Sequence, residues 1–396
     1  MEKFYDNEQI RIRKKALLTG SLAHFIHDGF TDMLYIFFPI WQAQFSLNFT
    51  EIGFLKTLFS GTMACFQVPS TNLANRVGEI RLLLLGTILT SVSVWLLGWS
   101  ATPIFLGCLL VVGGLGSSVQ HPLSSSIISN AYTDSDARRV ALSTFNVTGD
   151  MGKLVLPSVA AFLISQYNWP TTIHVLGIVG MGVVITIFLS SKSIRQVNIN
   201  TENKKTTTAI SHLKWKENKA FWSLSMIGVI DSATRMGFLT FFPFLLQEKG
   251  AGVTTIGLAL SLVFAGGSVG KFVCGTLATK LGILRSVIIT EIITAFCIWA
   301  MLNLPINNAI LLAPILGVAL NGTSSVLYGS VPELVSEERR KQAFAIFYTA
   351  TIGAGALSPS IYGMASDIVG IKTVVIIVAI VVLFTIPLTI PLRGKI

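Results

Sequence analysis

Charge is what this sequence has least of. Asp, Glu, Lys and Arg make up 12% of its 396 residues, against about 25% in a soluble globular protein. Too few polar side chains exist to coat a soluble surface. Cysteine is also scarce: Cys65, Cys108, Cys274 and Cys297 all lie within apolar stretches, with no CxxC pair and no disulfide framework, and they read as packing residues. No HExxH, no catalytic-triad pattern and no hydrophilic block long enough for a soluble domain is present, so neither an enzyme nor a resident cofactor or metal is expected. Gly266 to Phe272, GGSVGKF, imitates a phosphate-binding loop but has Ala265 at the place of the first glycine and Phe272 where Ser or Thr belongs. Without a nucleotide site, any uphill work is expected to draw on an ion gradient.

Apolar residues are plentiful instead, at 52% of the chain with a mean hydropathy of +0.69. Runs such as Leu82 to Trp99, Ile173 to Leu189 and Val374 to Pro391 approach the roughly 20 residues that cross a bilayer. Turn signals between such runs predict twelve helices, at 16–44, 50–75, 80–100, 103–131, 138–167, 170–192, 220–248, 253–281, 285–303, 307–333, 340–368 and 371–393. The charged start, MEKFYDNEQIRIRKK, lacks a small-residue cleavage site and is expected to be retained. One polar stretch, 193–219, divides the chain into a bundle of six helices at 1–192 and a second at 220–396.

The two halves repeat each other. At a shift of 204, Phe38 and Pro39 fall on Phe242 and Pro243, Thr50, Ile52 and Gly53 on Thr254, Ile256 and Gly257, and Asn72 to Arg81 on Thr276 to Arg285. At a shift of 202, Phe145, Pro157 and Ser158 fall on Phe347, Pro359 and Ser360. Four landmarks in one order mark an internal duplication. The excess of cations, net +10 for the chain, then sets the orientation: with both ends cytoplasmic, 23 Lys and Arg lie on that side and only Lys249 and Lys372 on the other. The expected place is the inner membrane of the cell, with the bilayer as surroundings, no nucleic-acid partner and a monomeric chain.

Twelve helices in two parallel six-helix repeats around a basic central loop resemble the major facilitator superfamily of secondary transporters. Its signature between helices 2 and 3 has counterparts in Thr71, Asn75, Arg76, Gly78 and Arg81, and again in Gly275, Thr279, Lys280, Gly282 and Arg285. The resemblance implies an all-α polytopic fold of two pseudo-repeats. It also implies a gating role for Asn75, Arg76, Gly78, Arg81, Lys280, Gly282 and Arg285. Asn75 and Thr279 cannot ionise where the family has an aspartate, so that latch would be built differently. Within the superfamily, SLAHFIHD (Ser21 to Asp28), GSSVQHP (Gly116 to Pro122) and the set Phe145, Val147, Gly149, Gly152 and Pro157 resemble the fosmidomycin-resistance group of drug exporters. His27, Asp32, Asp150 and Lys153 are departures from that group.

Nine charges fall inside spans: Asp28, Asp32, Lys56, Asp150, Lys153, Asp231, Arg235, Lys271 and Glu291. Each costs on the order of 2.5 to 3.5 kcal/mol at a span's centre on insertion scales and is by default a candidate for function. His24, Asp28 and Asp32 recur every four residues and share one stripe of helix 1, with His27 and Thr31 beside them. A carboxylate in low dielectric takes up a proton readily and an imidazole can share it, so Asp28, Asp32 and His24 are the candidates for proton coupling. The alternative is a structural hydrogen-bond cluster. His121, beside Pro122, marks a bend in helix 4. Asp150 with Lys153, and Asp231 with Arg235, are spaced to pair within their own helices. Released from those partners, Lys153 and Arg235 could grip an anionic or zwitterionic cargo. Substrate contacts are thus expected from His27, His121, Asp150, Lys153, Asp231, Arg235 and Lys271. A Lys271 to Glu291 bridge is a structural option, and Lys56 is expected to snorkel to the outer interface.

The leading expectation is a proton-coupled exporter of a small organic compound. Alternatives are a proton symporter importing an anionic metabolite or a carboxylate-type metal chelate such as a siderophore, and, less well supported, a divalent-metal transporter, since only His121 offers an obvious further ligand to His24 and Asp28. A sensor without transport would need a soluble extension that this sequence does not display.

Overall fold

A computed structural model describes residues 2–132, 134–191, 218–336 and 339–395, and these are helical with no strand among them. The first half comprises α1 (Glu2–Phe45), α2 (Phe49–Val77), α3 (Glu79–Leu97), α4 (Pro103–Ser117), α5 (Gln120–Ala131), α6 (Ser135–Gln166) and α7 (Trp169–Ser191). The second comprises α8 (Lys219–Glu248), α9 (Val253–Leu281), α10 (Ile283–Asn303), α11 (Ile306–Ser330), α12 (Arg340–Val369), α13 (Ile371–Leu383) and the short α14 (Thr385–Leu388). α4 with α5 form one span, and α13 continues through α14, so the chain crosses the membrane twelve times. Ten spans are long and apolar enough on composition alone; α1 and α2 complete the set. Most of the stretch expected to link the halves, 193–219, lies outside the described residues.

Local chemistry explains the boundaries. Asn48 and Glu51 make a reciprocal capping box at the start of α2, with bonds of 2.8 and 2.9 Å. Thr102 caps α4 ahead of Pro103, and Asp134 accepts the Ala137 N–H at 2.8 Å to start α6. Gly78 and Gly282, equivalent in the repeat, have φ of +94° and +84° and turn the chain in a single residue between α2 and α3 and between α9 and α10. Three boundaries differ from the sequence reading. The charged N-terminal segment continues α1 as helix. The fourth span breaks at Ser118 and Val119, just before His121, because Pro122 has no N–H to return to the Ser118 carbonyl, which instead faces the Ser70 hydroxyl at 3.5 Å. Pro387 and Pro391 break up the last span in the same way.

The halves meet along two seams, α2 on α12 and α6 on α9, and the seams are chemical copies. In one, the Thr57 hydroxyl donates to the Ala356 carbonyl at 2.7 Å and the Ser360 hydroxyl donates to that of Thr57 at 2.8 Å. In the other, the Ser261 hydroxyl donates to the Leu154 carbonyl at 2.7 Å and Ser158 and Ser261 share a bond of 2.7 Å. Thr57 and Ser261 are related by the 204 shift, Ala356 and Leu154 by the 202 shift. Both seams lie toward the face opposite the chain ends. There the largest apolar core, including Tyr35, Phe38, Phe59, Phe238, Phe242 and Phe264, runs through both halves. Toward the chain ends it splits into one cluster around Ala16, Leu83 and Ile187 and another around Phe221, Leu327 and Phe347. The halves are therefore clasped on one face and parted on the other.

Candidate functional site

The parted halves leave charged side chains of α1, α5, α6, α8 and α9 around the middle of the bundle. On α1, His24, Asp28 and Asp32 form the expected stripe, all buried. Close approach of α6 makes this possible: a Cβ on Gly149 would lie 2.4 Å from the His24 ring and one on Gly152 only 2.1 Å from the Phe25 carbonyl. The His24 ring stacks on Phe145, centroids 4.1 Å apart, and its Nδ1 donates to the Phe145 carbonyl at 2.9 Å.

Asp28 is the hub. Its carboxylate lies 3.2 Å from His24 Nε2, 3.3 Å from His121 Nε2, 3.8 Å from His27 Nε2 and 3.2 Å from the Lys153 ammonium. The bend ahead of Pro122 places the partly exposed His121 at this point. His27, expected among the cargo contacts, is buried against the hub instead.

One turn on, Asp32 has neither an ion pair within 4.0 Å nor a hydrogen bond among the described residues, and Lys153, Lys56 and Arg235 lie within its electrostatic reach. Lys56 does not snorkel. It is completely buried, with its ammonium donating to the Thr31 carbonyl at 3.3 Å and lying 4.5 Å from the Tyr35 ring centroid.

The pairings within single helices do not form. Lys153 serves Asp28, while Asp150 accepts two bonds of 2.7 Å from Lys271, joining α6 of one half to α9 of the other. Lys271 is thus not bridged to Glu291, whose buried Oε1 has no hydrogen-bond partner. Arg235 is not within 4.0 Å of Asp231 among the described residues. Its Nη1 donates to Ser324 on α11 at 3.2 Å and its Nε has no partner. Asp231 and Arg235 share a narrow cleft with Ser324, Tyr328, Phe347 and Thr351. The gating residues Asn75, Arg76, Gly78, Arg81, Lys280, Gly282 and Arg285 sit at the α2–α3 and α9–α10 turns, on the face of the chain ends. None of their cations makes an ion pair within 4.0 Å among the described residues.

Sequence reasoning missed the seam hydroxyls Thr57 and Ser261, although the repeat shift aligns them. It also missed Asp367, which accepts the Phe49 and Thr50 N–H groups at 2.8 Å each and the Thr50 hydroxyl at 2.6 Å. No periodic signal marks a lone carboxylate that caps a helix more than 300 residues away.

Two six-helix halves, clasped on one face, parted on the other and lined at mid-depth with charge, define a polytopic membrane transporter. The chain belongs to the Major Facilitator Superfamily, whose sequence profile matches residues 20–233 and 224–395. It is a transporter and not an enzyme. It is 24% identical over 366 residues to the fosmidomycin resistance protein of Escherichia coli (strain K12), covering 89% of this chain and 87% of that one. A shorter match, 26% over 186 residues, links it to the multidrug export protein EmrB of the same organism, covering 47% of this chain and about a third (35%) of EmrB. Among solved structures, a bacterial homologue of the human lysosomal transporter Spinster superposes with a TM-score of 0.76 at 16% identity, covering 95% of this chain and 96% of that one. The nucleoside transporter NupG superposes with 0.75 at 11% identity, covering 96% and 100%.

Proposed function

We propose that this transporter exports a small organic compound by alternating access, with protons moving the opposite way. The two six-helix bundles, 1–192 and 220–396, rock about the seams, and the molecule works as a monomer in the inner membrane with both ends in the cytoplasm. On that orientation the parted face is cytoplasmic, so the site is open to cargo from within. Relatives named for drug resistance and multidrug export support the direction.

The observation that carries the coupling is Asp32. Of the three groups on α1 read as proton carriers, Asp28 and His24 are engaged with His121, Lys153 and Phe145, whereas Asp32 is buried with no ion pair or hydrogen bond among the described residues. A lone carboxylate at this depth is costly as an anion, and a proton or a cargo cation relieves that cost. We assign the coupling proton to Asp32. In proteoliposomes, Asp32→Asn should abolish accumulation driven by a pH gradient while sparing exchange of cargo across a membrane without a gradient. Gradient-driven accumulation that survives the substitution refutes the assignment.

A second reading is proton-coupled import of an anionic metabolite or carboxylate-type metal chelate. It is favoured by one feature, the Arg235 guanidinium with its buried Nε left without a partner; Lys153 and Lys271, the other candidate anion grips, are paired. A thermal-shift screen against drugs, carboxylates, siderophores and divalent metals separates the readings, since a true ligand stabilises the folded carrier. Stabilisation by carboxylates alone, lost in Arg235→Gln, would select import.

A further inference from the structure

We propose that His24, Asp28 and His121 form a binding site for a divalent transition-metal ion, open toward the parted face, which the ion enters by displacing the Lys153 ammonium. The donor atoms all lie within 4.8 Å of one another. The carboxylate presents one oxygen to each ring, at 3.2 Å from His24 Nε2 and 3.3 Å from His121 Nε2. Neighbouring ligand atoms around an ion bound at about 2.0 to 2.1 Å stand roughly 3.3 Å apart, so an ion between the rings would take the carboxylate through both oxygens, or through one after a small turn of the group. The set spans up to 4.8 Å, and rotation of the partly exposed His121 ring draws it together.

The tautomer of His24 points the same way. A carbonyl oxygen can only accept, so the 2.9 Å contact with Phe145 puts the proton on Nδ1 and leaves the neutral ring with a bare lone pair on Nε2. In that form the lone pair faces a carboxylate oxygen at 3.2 Å, an oxygen that the Lys153 ammonium also approaches at 3.2 Å. Two electron-rich atoms at this distance in a buried site are held together by a cation shared between them, a proton or a metal ion. An imidazole fixed through its far nitrogen to a backbone carbonyl, and clamped between Phe145 and Gly149, is the usual support of a metal-binding histidine. His27 adds a further buried nitrogen without a partner, Nδ1, beside the cluster.

Two imidazoles and one carboxylate suit zinc, cobalt or nickel and not calcium or magnesium, which prefer oxygen throughout. Three protein residues leave a position open on the side of the 43% exposed His121 side chain for water or a donor atom of a bound molecule. Lys153 supplies the missing positive charge in the ion's absence, 3.2 Å from Asp28. A divalent ion and an ammonium on one carboxylate repel, so binding moves Lys153 toward Asp150, one turn earlier on α6. Ion and ammonium are therefore competitors.

The test uses the full chain in detergent with any affinity tag removed, titrated near neutral pH with zinc chloride by calorimetry and with cobalt(II) by visible absorption. One equivalent should bind. His121→Gln, at a partly exposed ring that folding tolerates, should weaken binding on the order of tenfold or more. Lys153→Met should tighten it by a similar factor, the reverse of what a merely structural lysine would give. Melting curves establish that both variants are folded, and zinc should raise the melting temperature of wild type but not of His121→Gln. The proposal is overturned if wild type takes up neither metal, if His121→Gln binds as tightly as wild type, or if Lys153→Met does not tighten binding. No gradient or cargo enters the measurement, so its outcome is independent of the proton assignment.

Discussion

Gly53 sits where α2 crosses α12, and it sets how closely the clasped face can shut. A Cβ at this position would lie 2.0 Å from the Pro359 carbonyl oxygen, 2.5 Å from its carbon and 2.9 Å from the Ser360 Cα. All three are backbone atoms, so no side chain can rotate away. Gly53→Ala must therefore push the two helices apart by about 1 Å to reach van der Waals contact. That shift stretches the Thr57 to Ala356 and Ser360 to Thr57 bonds, now 2.7 and 2.8 Å, past the range of a hydrogen bond. Two neutral bonds at about 1 kcal/mol each make roughly 2 kcal/mol, which converts to about thirtyfold in the ratio of closed to open seam. The substitution also favours helix formation by up to about 1 kcal/mol in both states, so melting should not suffer while the population shifts. Spin labels at positions 54 and 368, in a background with the exposed Cys65 and Cys108 replaced by Ser, report the separation by pulsed dipolar spectroscopy. Gly257→Ala, the repeat partner, clashes with the Ala161 methyl at 2.3 Å and meets the Pro157 carbonyl at an ordinary 3.4 Å, so its effect should be smaller and Ala161→Gly should reverse it. Identical distance distributions for wild type and a folded Gly53→Ala would refute the account of the seam.

Two further substitutions test charges that sequence spacing misplaced. Lys271→Met removes the ion pair between the halves; because the Lys271 side chain is 42% exposed, the cost to folding should stay within about 1 kcal/mol while transport falls, and a large loss of melting temperature would refute this weighting. Lys56→Met replaces a fully buried ammonium with an apolar chain of similar length, which should leave the melting temperature unchanged or raised. It should also impair transport by taking a cation from the neighbourhood of Asp32, and a clear drop in melting temperature would show Lys56 to be a structural anchor.

The twelve spans and the duplication were legible because they rest on long-range composition and on a register shift, which neighbours in space cannot disguise. The stripe on α1 was legible for a similar reason, since a period of four residues is a property of the helix alone. The pairings were not. Asp150 and Lys153 lie three apart, as Asp231 and Arg235 lie four apart, and that spacing permits a bond within the helix without selecting it. Lys153 found Asp28 on α1, Lys271 reached across to Asp150, and Arg235 turned to Ser324. In a packed bundle each side chain has several helices within reach, and partners on them do not appear in its own sequence neighbourhood. Lys56 failed for the same reason: the snorkelling argument considers lipid and interface, whereas the nearest acceptor was the Thr31 carbonyl on an adjacent helix.

The duplication also supplies an internal control on whether the charged cluster serves folding. The 204 shift carries His24 to Gly228 and Asp28 to Ser232, and the 202 shift carries Gly149 to Thr351 and Lys153 to Gly355. The second half packs these positions by exchanging large for small. A Cβ on Gly228 would meet the Phe347 ring at 2.7 Å and Thr351 at 2.8 Å, and one on Gly355 would meet the Ser232 hydroxyl at 2.6 Å. Phe347 fills the place corresponding to Phe145, yet no imidazole lies on it and no ion pair crosses there among the described residues. The same helix pair is thus built a second time with glycine, serine and threonine at these positions, and the charges of α8, Asp231 and Arg235, stand at other positions of the same cleft. His24, Asp28 and Lys153 have no counterparts at the equivalent positions of α8 and α12, and those two helices still pack together. Burying them carries a desolvation cost that the second half does not meet at these positions. Lys271 and Asp150 likewise lack charged counterparts, since Gln67 and Ile352 stand at the equivalent positions.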